Sequence, residues 1–473
     1  MAKTLELHPD RALPSDPAQR VLARSILDET EGLPLVSMHG HVEAEVFADN
    51  QAFADPARLL IVPDHYVTRM LVSQGVPLTD LGVPRTDGGP TETDPRAIWR
   101  RFCSNWRLYR GTPSRFWLEH ELVSVFGVTT VPSADTADAI YDRIAEVVAR
   151  PDFRPLALLD RFNIEIISTT DPASSDLGHH RRLADAGYGE RVVPTFRPDA
   201  VVYPDRPTWR DEVSRLAETA GAEIGDYPHF LDALRRRRRA FLDAGARASD
   251  HGHDHADTTP LDERVASNLF ARALAGERIS AEEARAFAGH MLFQFAAMAR
   301  DDGMVMQIHT GVLRNHHSAM FAQHGPDKGF DIPFRAEYTQ ALRPMLEAFG
   351  MDPGFRCILF TIDETVYSRE LAPLAGVYPS VRLGAPWWFI DSPEGMRRFR
   401  ETATESAGFY NLSGFVDDTR AFASIPARHD LSRRIDAGYL ARLVLEHRLD
   451  EDEAVETAVD LAYRIPQSAY ARR

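Results

Sequence analysis

Residues 33–41, LPLVSMHGH, are the stretch from which the fold and the chemistry of this chain can be inferred. The apolar run with Val and Leu is typical of a buried strand, and it ends in a His-x-His pair. Residues two apart in an extended backbone point to the same side, so His39 and His41 can face one point. Two neutral imidazoles at that spacing supply half of a divalent-metal site. An isolated pair is equally compatible with two polar histidines at a strand end, so further ligands must come from elsewhere.

Length and charge narrow the class of protein. At 473 residues, the chain fits two ordinary domains or one large barrel with an insertion. The net charge of -16 argues against a nucleic-acid surface, and the five arginines at 235–239 are expected to be a solvated helix face. Cys103 and Cys357 do not resemble a disulfide framework, and no apolar stretch is typical of a signal peptide or a membrane span. We therefore expect a cytoplasmic protein that binds neither nucleic acid nor membrane.

After residue 160, β-rich apolar runs alternate with helical patterns. Seven further strands are predicted at 164–168, 192–196, 246–250, 304–309, 357–362, 381–385 and 412–416. Helices are predicted between most of them, including 226–244, 281–300 and 336–349. Eight strands that alternate with helices predict an α/β fold of the parallel (β/α)8 class. A doubly wound open sheet is the alternative, but no Gly-x-Gly-x-x-Gly motif follows an early strand.

The alternation is interrupted early by a helical block. Helical patterns at 94–109, 115–126 and 136–148 accompany a loop at 82–95 that is rich in Gly, Pro, Thr and Asp. We predict that residues 1–42 form an N-terminal arm and the first barrel strand, residues 43–160 a helical insertion, and residues 161–473 the remainder of the barrel. The predicted fold is therefore a distorted (β/α)8 TIM barrel with a helical insertion after the first strand.

In such barrels the chemistry takes place at the carboxyl ends of the strands. Polar residues follow five of the predicted strands, namely His39, His41, Arg197, Asp250, His251, His309, Asp417 and Asp418, with Arg420 just beyond. We expect Asp250 and His251 to contact the substrate. Three imidazoles and a carboxylate suit one divalent metal, Zn²⁺ before Mn²⁺ or Fe²⁺, and the predicted ligands are His39, His41, His309 and Asp418. His309 is also a candidate for a substrate contact.

Other side chains are candidates for binding a carboxylate of the substrate and for moving protons. Arg197 at a strand end can bind a carboxylate of the substrate, and an ion pair with Asp199 is the alternative. His65 and Tyr66 lie in the insertion, where they can donate hydrogen bonds or move protons over the barrel mouth. Trp387, the first of two adjacent tryptophans, is either a wall for a sugar or part of the core.

Taken in order, eight segments resemble one known family, the uronate isomerases (glucuronate isomerase) of the amidohydrolase superfamily. The resemblance covers nearly the whole chain and rests on 38–41 (MHGH), 64–66 (DHY), 162–171 (FNIEIISTTD), 194–199 (PTFRPD), 248–252 (ASDHG), 306–314 (MQIHTGVLR), 387–389 (WWF) and 418–420 (DTR). The family usually has Asp where this chain has Ser37 and Cys where it has Gly40, so we predict a divergent member.

The resemblance implies an aldose–ketose isomerase that interconverts D-glucuronate with D-fructuronate and D-galacturonate with D-tagaturonate. It implies one divalent metal held by His39, His41 and Asp418. It also implies that the reacting end of the substrate is lined by Asp418, Arg420, His65 and Tyr66, and that the substrate is held by Arg197, His309 and Arg314. We expect Arg420 to lower the pKa of Tyr66, so that Tyr66 can move the carbon-bound proton.

Two other functions remain open from the sequence. The barrel could carry a hydrolase or hydro-lyase that uses metal-bound water on a carboxylated substrate. Against a binuclear hydrolase, no lysine is in view after the fourth strand and no histidine ends the sixth. A non-catalytic protein that binds a sugar acid is the other alternative, and the sequence is compatible with a homo-oligomer.

Overall fold

The computed structural model describes residues 3–472. Its strands in chain order are β1 (Leu35–Ser37), β2 (Ile164–Ser168), β3 (Asp171–Pro172), β4 (Val192–Val193), β5 (Phe196–Arg197), β6 (Ala248–His251), β7 (Val305–Thr310), β8 (Val312–Leu313), β9 (Ile332–Pro333), β10 (Cys357–Thr361) and β11 (Val381–Leu383). The helix Pro17–Glu31 precedes β1, and the carboxylate of Asp16 caps it by accepting a hydrogen bond from the amide of Gln19 at 2.8 Å.

Helices fill the space between the strands. Those between β1 and β2 are Ala44–Asp49, Pro56–Leu60, His65–Val72, Pro95–Ser104, Pro113–His120, Ala137–Val148 and Pro155–Arg161. Those after β3 are Gly178–Asp185, Trp209–Ala220, Tyr227–Asp243, Glu263–Leu274, Ala281–Asp302, Ser318–His324, Arg343–Phe349, Ala372–Ala375, Pro393–Ala407, Ile425–Leu445, Glu451–Val459 and Ile465–Ala469. No helix within residues 3–472 is both long enough and apolar enough to cross a lipid bilayer.

Nine of the strands form two parallel ladders, β1–β2–β4 and β3–β5–β6–β7–β10–β11, while β8 and β9 pair with each other in antiparallel orientation. Two residues separate β2 from β3, and two separate β4 from β5, so the ladders continue one strand order. The break in the third predicted strand falls at Pro194, which has no amide hydrogen to donate to a ladder. The order of parallel strands follows the order along the chain, as in a (β/α)8 barrel.

The eighth predicted strand, 412–416, is the exception. Leu412 makes one isolated parallel bridge to Leu383 and no ladder follows. Gly414 has a φ of +81°, and a Cβ there would lie 2.6 Å from Pro466, so this glycine turns the backbone where a strand would continue. The amide of Asp418 then donates to the carbonyl of His39 at 3.2 Å. The barrel is therefore distorted, and within residues 3–472 no continuous ladder closes it.

Two other predicted elements have different bounds. The fourth strand, predicted at 246–250, is observed at Ala248–His251, because Gly245 with a φ of +101° first turns the chain out of the preceding helix. The helix predicted at 336–349 begins only at Arg343. The amides of Tyr338 and Thr339 donate instead to the carboxylate of Glu370 at 2.7 and 2.9 Å, which replaces helical hydrogen bonds.

The expectation that the arginines at 235–239 form a solvated face is wrong for two of them. Arg237 and Arg238 are buried. Nε and Nη2 of Arg238 donate to the carboxylate of Asp302 at 2.6 and 2.9 Å, and Nη2 of Arg237 donates to the carbonyl of Ser175 at 2.6 Å. Burial is tolerated because each guanidinium finds acceptors in neighbouring elements.

A second buried ion pair joins two outer helices. Arg400 lies on the helix Pro393–Ala407 and donates to both oxygens of Asp436, at 2.5 and 2.8 Å. Arg398 lies on the same helix but is exposed, and it pairs with Glu364 at 3.0 Å. The two pairs differ in burial rather than in chemistry, which makes them suitable for comparison.

The helices between β1 and β2 have their own apolar cluster. Its members include Phe47, Trp99 and Phe102, and it continues onto the barrel through Leu35 of β1 and Ile164 of β2. Burial of these side chains stabilises the attachment of the helical block to the first two strands, because apolar area is removed from water on both sides. The block is thereby held close to the carboxyl end of β1.

Candidate active site

His39, His41 and Asp418 meet at the carboxyl end of β1. Nε2 of His41 lies 2.9 Å from Oδ1 of Asp418, and Nε2 of His39 lies 3.4 Å from the same oxygen. The backbone of Asp418 has a φ of +44°, and its amide is bound to the carbonyl of His39, which fixes the carboxylate beside the imidazoles. The three ligand atoms lie within 4.8 Å of one another, a spacing that one divalent cation can bridge.

A second group shares His39. Nδ1 of His309 on β7 lies 2.7 Å from Oδ1 of Asp250 on β6, and the rings of His39 and His309 stack with centroids 4.4 Å apart. His39, Asp250 and His309 also have ligand atoms within 4.8 Å of one another. The structure thus groups His309 with Asp250 rather than with Asp418. It also places Asp250, which we expected to contact the substrate, among residues able to hold a cation.

The donor atoms of both groups suit a cation. Oδ1 of Asp418 and Oδ1 of Asp250 are buried and lie close to imidazole nitrogens, but none of these contacts has the geometry of a hydrogen bond, and Nε2 of His309 makes no hydrogen bond either. Buried polar atoms without partners are costly, and a divalent ion would satisfy several acceptors at once. Two imidazoles and a carboxylate are also the donor set of many zinc sites. The residues present therefore fit a divalent metal.

The pKa values of these groups agree with that arrangement. Burial lowers the pKa of His41, and it lowers the pKa of His309 to about 4, which keeps both imidazoles neutral. Burial opposes the charge on Asp418, yet the ring nitrogens of His39 and His41, 3.4 and 2.9 Å from its Oδ1, hold its pKa well below the usual range. Burial also opposes a charge on His39, but the carboxylates of Asp250 and Asp418 raise its pKa. Those carboxylates would attract any cation placed between them.

Arg197 is held at the end of β5 by two carboxylates. Its Nε donates to Oδ2 of Asp199 at 2.7 Å, and its Nη1 lies 3.2 Å from Oδ2 of Asp250. Burial disfavours its charge, but Asp199 and Asp250 raise its pKa above the usual value. Gly252 permits this packing, since a Cβ there would lie 2.5 Å from Nη2 of Arg197. The ion pair with Asp199 is thus present, and Arg197 still lines the cavity described next.

A cavity of about 700 Å³, partly open to solvent, lies over the cluster. Eight of the site residues predicted from the sequence line this cavity, namely His41, His65, Tyr66, Arg197, Arg314, Trp387, Asp418 and Arg420. His39, Asp250 and His309 do not line it but contact residues that do. Four lining arginines, the fourth being Arg428, and a group of potential metal ligands can bind a small anion that also coordinates a cation.

A loop from outside the barrel ring closes one side of this cavity. Nη2 of Arg420 donates to Oδ2 of Asp327 at 2.8 Å, and Nη1 of Arg314 donates to Asp331 at 3.2 Å. The backbone of Asp327 has a φ of +60°, in the left-handed region. Asp327 lines the cavity beside Arg420, although no sequence pattern had placed it there.

The helix His65–Val72 brings His65 and Tyr66 to the cavity. The carboxylate of Asp64 caps this helix by accepting a hydrogen bond from the amide of Tyr66 at 2.8 Å. The ring of His65 stacks on Trp388 with centroids 4.1 Å apart, and burial lowers the pKa of His65 to about 3. His65 is therefore a neutral hydrogen-bonding group beside an aromatic wall formed by Trp388 and Trp387.

The expectation that Arg420 lowers the pKa of Tyr66 is wrong. The hydroxyl of Tyr66 donates to both oxygens of Asp391, at 2.9 and 2.8 Å. Burial, and then the charge of Asp391, raise the pKa of Tyr66 well above its usual value. Arg420 is paired with Asp327, and it is Arg428 whose guanidinium lies 5.1 Å from the centre of the Tyr66 ring.

The chain was compared with known proteins. The family model for glucuronate isomerase matches residues 18–470. A protein of Rhizobium meliloti named uronate isomerase is 55% identical over 464 residues, which cover 98% of this chain and 99% of that protein. The crystal structure of glucuronate isomerase from Caulobacter crescentus superimposes with a TM-score of 0.97 at 50% identity, covering 100% of this chain and 98% of that one.

The chain belongs to the glucuronate isomerase family. A more distant structure, uronate isomerase from Thermotoga maritima, superimposes with a TM-score of 0.90 at 28% identity and covers 98% of this chain and 99% of its own. The distorted barrel is therefore shared by family members whose sequences differ at most positions. The resemblance inferred from the eight segments is confirmed.

One predicted substrate contact points away from the cavity of this glucuronate isomerase family member. Asp250 and His251 are adjacent in β6, so their side chains point to opposite faces of the strand. The imidazole of His251 lies 3.0 Å from the hydroxyl of Ser249 and packs against Phe295 of an outer helix, with ring centroids 4.9 Å apart. His251 does not line the cavity, so its predicted contact with the substrate is not supported by the geometry.

Asp327 and Arg428 line the cavity of this family member, and Asp391 lies behind it, bound to Tyr66 and Arg428; the sequence predicted none of the three. Asp391 lies four residues after Trp387 in a segment that had been noticed for its tryptophans alone. Arg428 lies in the long helix Ile425–Leu445 and carried no local signal. Each joins the site through a partner distant in sequence, which spacing along one strand or helix does not reveal.

Proposed function

We propose that the chain is a hexuronate isomerase that interconverts D-glucuronate with D-fructuronate and D-galacturonate with D-tagaturonate, using one divalent metal, Zn²⁺ before Mn²⁺ or Fe²⁺. The observation that carries this proposal is a single cavity in which Arg197, Arg314 and Arg420 surround the His41–Asp418 pair. Membership of the glucuronate isomerase family supports it. A sugar acid has the two features that this cavity addresses, a carboxylate and a row of hydroxyl or carbonyl oxygens.

The metal would be held by His39, His41 and Asp418, with Asp250 and His309 beside them. When bound there, a divalent cation would supply Lewis-acid polarisation of a sugar oxygen. The second oxygen of Asp418 remains available to take a proton from a hydroxyl group during ring opening. Asp418 is suited to this role because its histidine neighbours keep it ionised.

The arginines bind and orient the substrate. Arg197 is the proposed anchor for the carboxylate, because Asp199 and Asp250 hold its guanidinium rigidly at the strand end. Arg314 and Arg420 are placed by Asp331 and Asp327 on the other side of the cavity. A carboxylate fixed at one end sets which carbon atoms of the sugar reach the cluster.

Tyr66 is the proposed group that moves the carbon-bound proton. Tyr66 lines the cavity, and the cap at Asp64 fixes the first turn of the helix that carries it. Trp387 and Trp388 are buried and line one side of the cavity, so their rings displace water from that side and protect an enediolate there from side reactions. His65 donates a hydrogen bond to a substrate oxygen in its neutral form.

We further propose a cytoplasmic enzyme whose partner is the sugar-acid substrate, with neither nucleic acid nor membrane as a partner. The net charge of -16 and two buried free thiols support this setting. We also keep the division into residues 1–42, 43–160 and 161–473 as a proposal. A homo-oligomer remains compatible with it.

The test is turnover by the metal-loaded protein on a panel of uronates, neutral aldoses and small amides, followed by NMR in D2O. We expect isomerisation of uronates with deuterium entering C1 or C2, loss of turnover on chelation and recovery with Zn²⁺. Incorporation of ¹⁸O from solvent would indicate the hydrolase or hydro-lyase instead. Binding of uronates without turnover, unaffected by chelation, would indicate a non-catalytic binding protein.

A further inference from the structure

The hydroxyl of Tyr66 is bound by a carboxylate that the proposed reaction has not used. Both oxygens of Asp391 accept from this hydroxyl, at 2.9 and 2.8 Å, and Tyr66, Asp391 and Arg428 are all buried. Nη1 of Arg428 donates to Oδ2 of Asp391 at 3.0 Å. Tyr66 and Arg428 line the catalytic cavity, so this network extends from the cavity wall into the protein.

This contact restricts how Tyr66 can act. A phenolate at 2.8 Å from a carboxylate would place two negative charges together in a buried site, which is unfavourable. Tyr66 can therefore accept a proton only if its own proton leaves at the same time. Among the residues that the structure describes, the acceptor at its hydroxyl is Asp391.

We infer that Asp391 holds the proton of Tyr66 while Tyr66 takes a proton from the substrate carbon, an inference that rests on the proposed isomerase function. Asp391 is then a positioning residue that acts through Tyr66, and Arg428 keeps it in place. Burial raises the pKa of Asp391 by more than the charge of Arg428 lowers it, so the net pKa is above the usual value. A raised pKa is consistent with a carboxylate that can receive a proton.

The step balances without a further reactant. The C2–H bond of the aldose breaks, and its electron pair enters the enediolate. The released proton forms a new O–H bond on Tyr66, while the original proton of Tyr66 passes to Asp391. Between the two halves, the hydroxyl proton on O2 moves to O1, relayed by the second carboxylate oxygen of Asp418. In the second half, Tyr66 protonates C1 and recovers its proton from Asp391, so the ketose forms and the enzyme returns to its starting state.

Arg428 is fixed independently of Tyr66. Its Nε donates to the hydroxyl of Ser424 at 3.1 Å, and its guanidinium lies 3.8 Å from the centre of the Trp117 ring. The Asp391–Arg428 pair therefore survives removal of the Tyr66 hydroxyl. This independence allows the contribution of Asp391 through Tyr66 to be separated from its contribution to folding.

The test is a double-mutant cycle of wild type, Asp391→Asn, Tyr66→Phe and the double variant, measured as kcat and KM on a uronate. General acid–base partners contribute about 10²- to 10⁴-fold, so we expect each single change to lower kcat by at least about 100-fold with KM within about threefold. Because Asp391 acts through Tyr66, the double variant should be no slower than Tyr66→Phe. Asp391→Glu should recover part of kcat.

The matched control is Asp302→Asn, which unpairs the buried Arg238 in the same way that Asp391→Asn unpairs Arg428, although neither Asp302 nor Arg238 lines the cavity. It should lower the unfolding temperature but leave kcat per folded chain unchanged. If Asp391→Asn does not fold, Asp391→Asn with Arg428→Gln removes both charges and replaces it in the cycle.

Two results would overturn the inference: a folded, metal-loaded Asp391→Asn protein with kcat within threefold of wild type, or a double variant whose loss is the product of the two single losses. A C2-deuterium isotope effect on kcat that is larger in Asp391→Asn than in wild type would support it, since a purely structural role leaves that ratio unchanged. If wild type itself does not isomerise uronates, the proposed function fails, and that outcome is distinct from either result.

Discussion

Replacing Arg197 by lysine tests whether this guanidinium recognises the substrate carboxylate. The change keeps a positive charge beside Asp199 and Asp250, so neither buried carboxylate is left without a cation. It removes the planar fork that reaches both carboxylates at 2.7 and 3.2 Å and still faces the cavity. A single ammonium nitrogen cannot serve both carboxylates and the substrate together.

The magnitude follows from the contact that is lost. One charge-assisted hydrogen bond is worth about 1.5–3 kcal/mol, which corresponds to a fall of about 10- to 150-fold in kcat/KM. The carboxylate does not change during isomerisation, so the bond is equally strong in the ground state and the transition state. The loss should therefore appear mainly as a higher KM, with kcat changed little.

The assay is steady-state isomerisation of a uronate, together with inhibition by a matched pair of inert ligands, a hexonate and the corresponding hexitol. Arg197→Lys should raise the inhibition constant of the hexonate by the same factor by which kcat/KM falls. It should leave the inhibition constant of the hexitol unchanged. Arg191→Lys is the control, because Arg191 lies just before β4, does not line the cavity and pairs with Asp160 at 2.7 Å. Equal losses on the hexonate and the hexitol, or a change below threefold on both, would refute the role of Arg197 as a carboxylate anchor.

Three further outcomes are expected. Asp418→Asn should lower the metal retained after dialysis at least about tenfold and abolish turnover; full metal content by elemental analysis would contradict the proposed ligand set. Burial lowers the pKa of His290 from 6.5 to about 4, so the unfolded chain takes up a proton at this residue before the folded chain does. The free energy of unfolding is therefore highest above pH 6.5 and falls by up to about 3 kcal/mol as the pH drops towards 4. His290→Asn should therefore unfold at a lower temperature than wild type at pH 7 and converge with it at pH 4.5, and a gap independent of pH would be inconsistent with this. Arg400→Met should cost about 3–5 kcal/mol of unfolding free energy because it leaves Asp436 buried and unpaired, whereas Arg398→Met on the exposed face should cost less than about 1 kcal/mol; equal urea midpoints would show that burial is not the reason.

The strand order and much of the cavity could be predicted from local pattern. β2 is observed at the predicted residues, because its Ile-rich run, interrupted only by the exposed Glu165, has few ways to be buried. His41, Arg197 and Asp418 come together because strands of a parallel barrel deliver their carboxyl ends to one side. These predictions depend on the two-residue repeat of strands and the 3.6-residue repeat of helices, and both repeats can be recognised in the sequence alone.

Contacts between distant segments could not be predicted in the same way. The eighth strand is absent because the backbone at Gly414 lies against Pro466, a neighbour supplied by the last helix. Arginine side chains are usually exposed, but Arg238 is buried because the carboxylate of Asp302 lies opposite it. In both cases the deciding partner is far away in the sequence.

The sequence by itself determined that this chain alternates strands and helices, which residues end the strands, and that imidazoles, carboxylates and arginines gather there. Only the tertiary structure decided that His309 lies against Asp250, that Arg420 is occupied by Asp327, and that Tyr66 gives its hydrogen bond to Asp391. The physical reason is that the preference of a segment for strand or helix depends on its residue types and their spacing along the chain. The charge state and role of a buried polar group depend instead on whichever partner the fold brings within hydrogen-bonding distance.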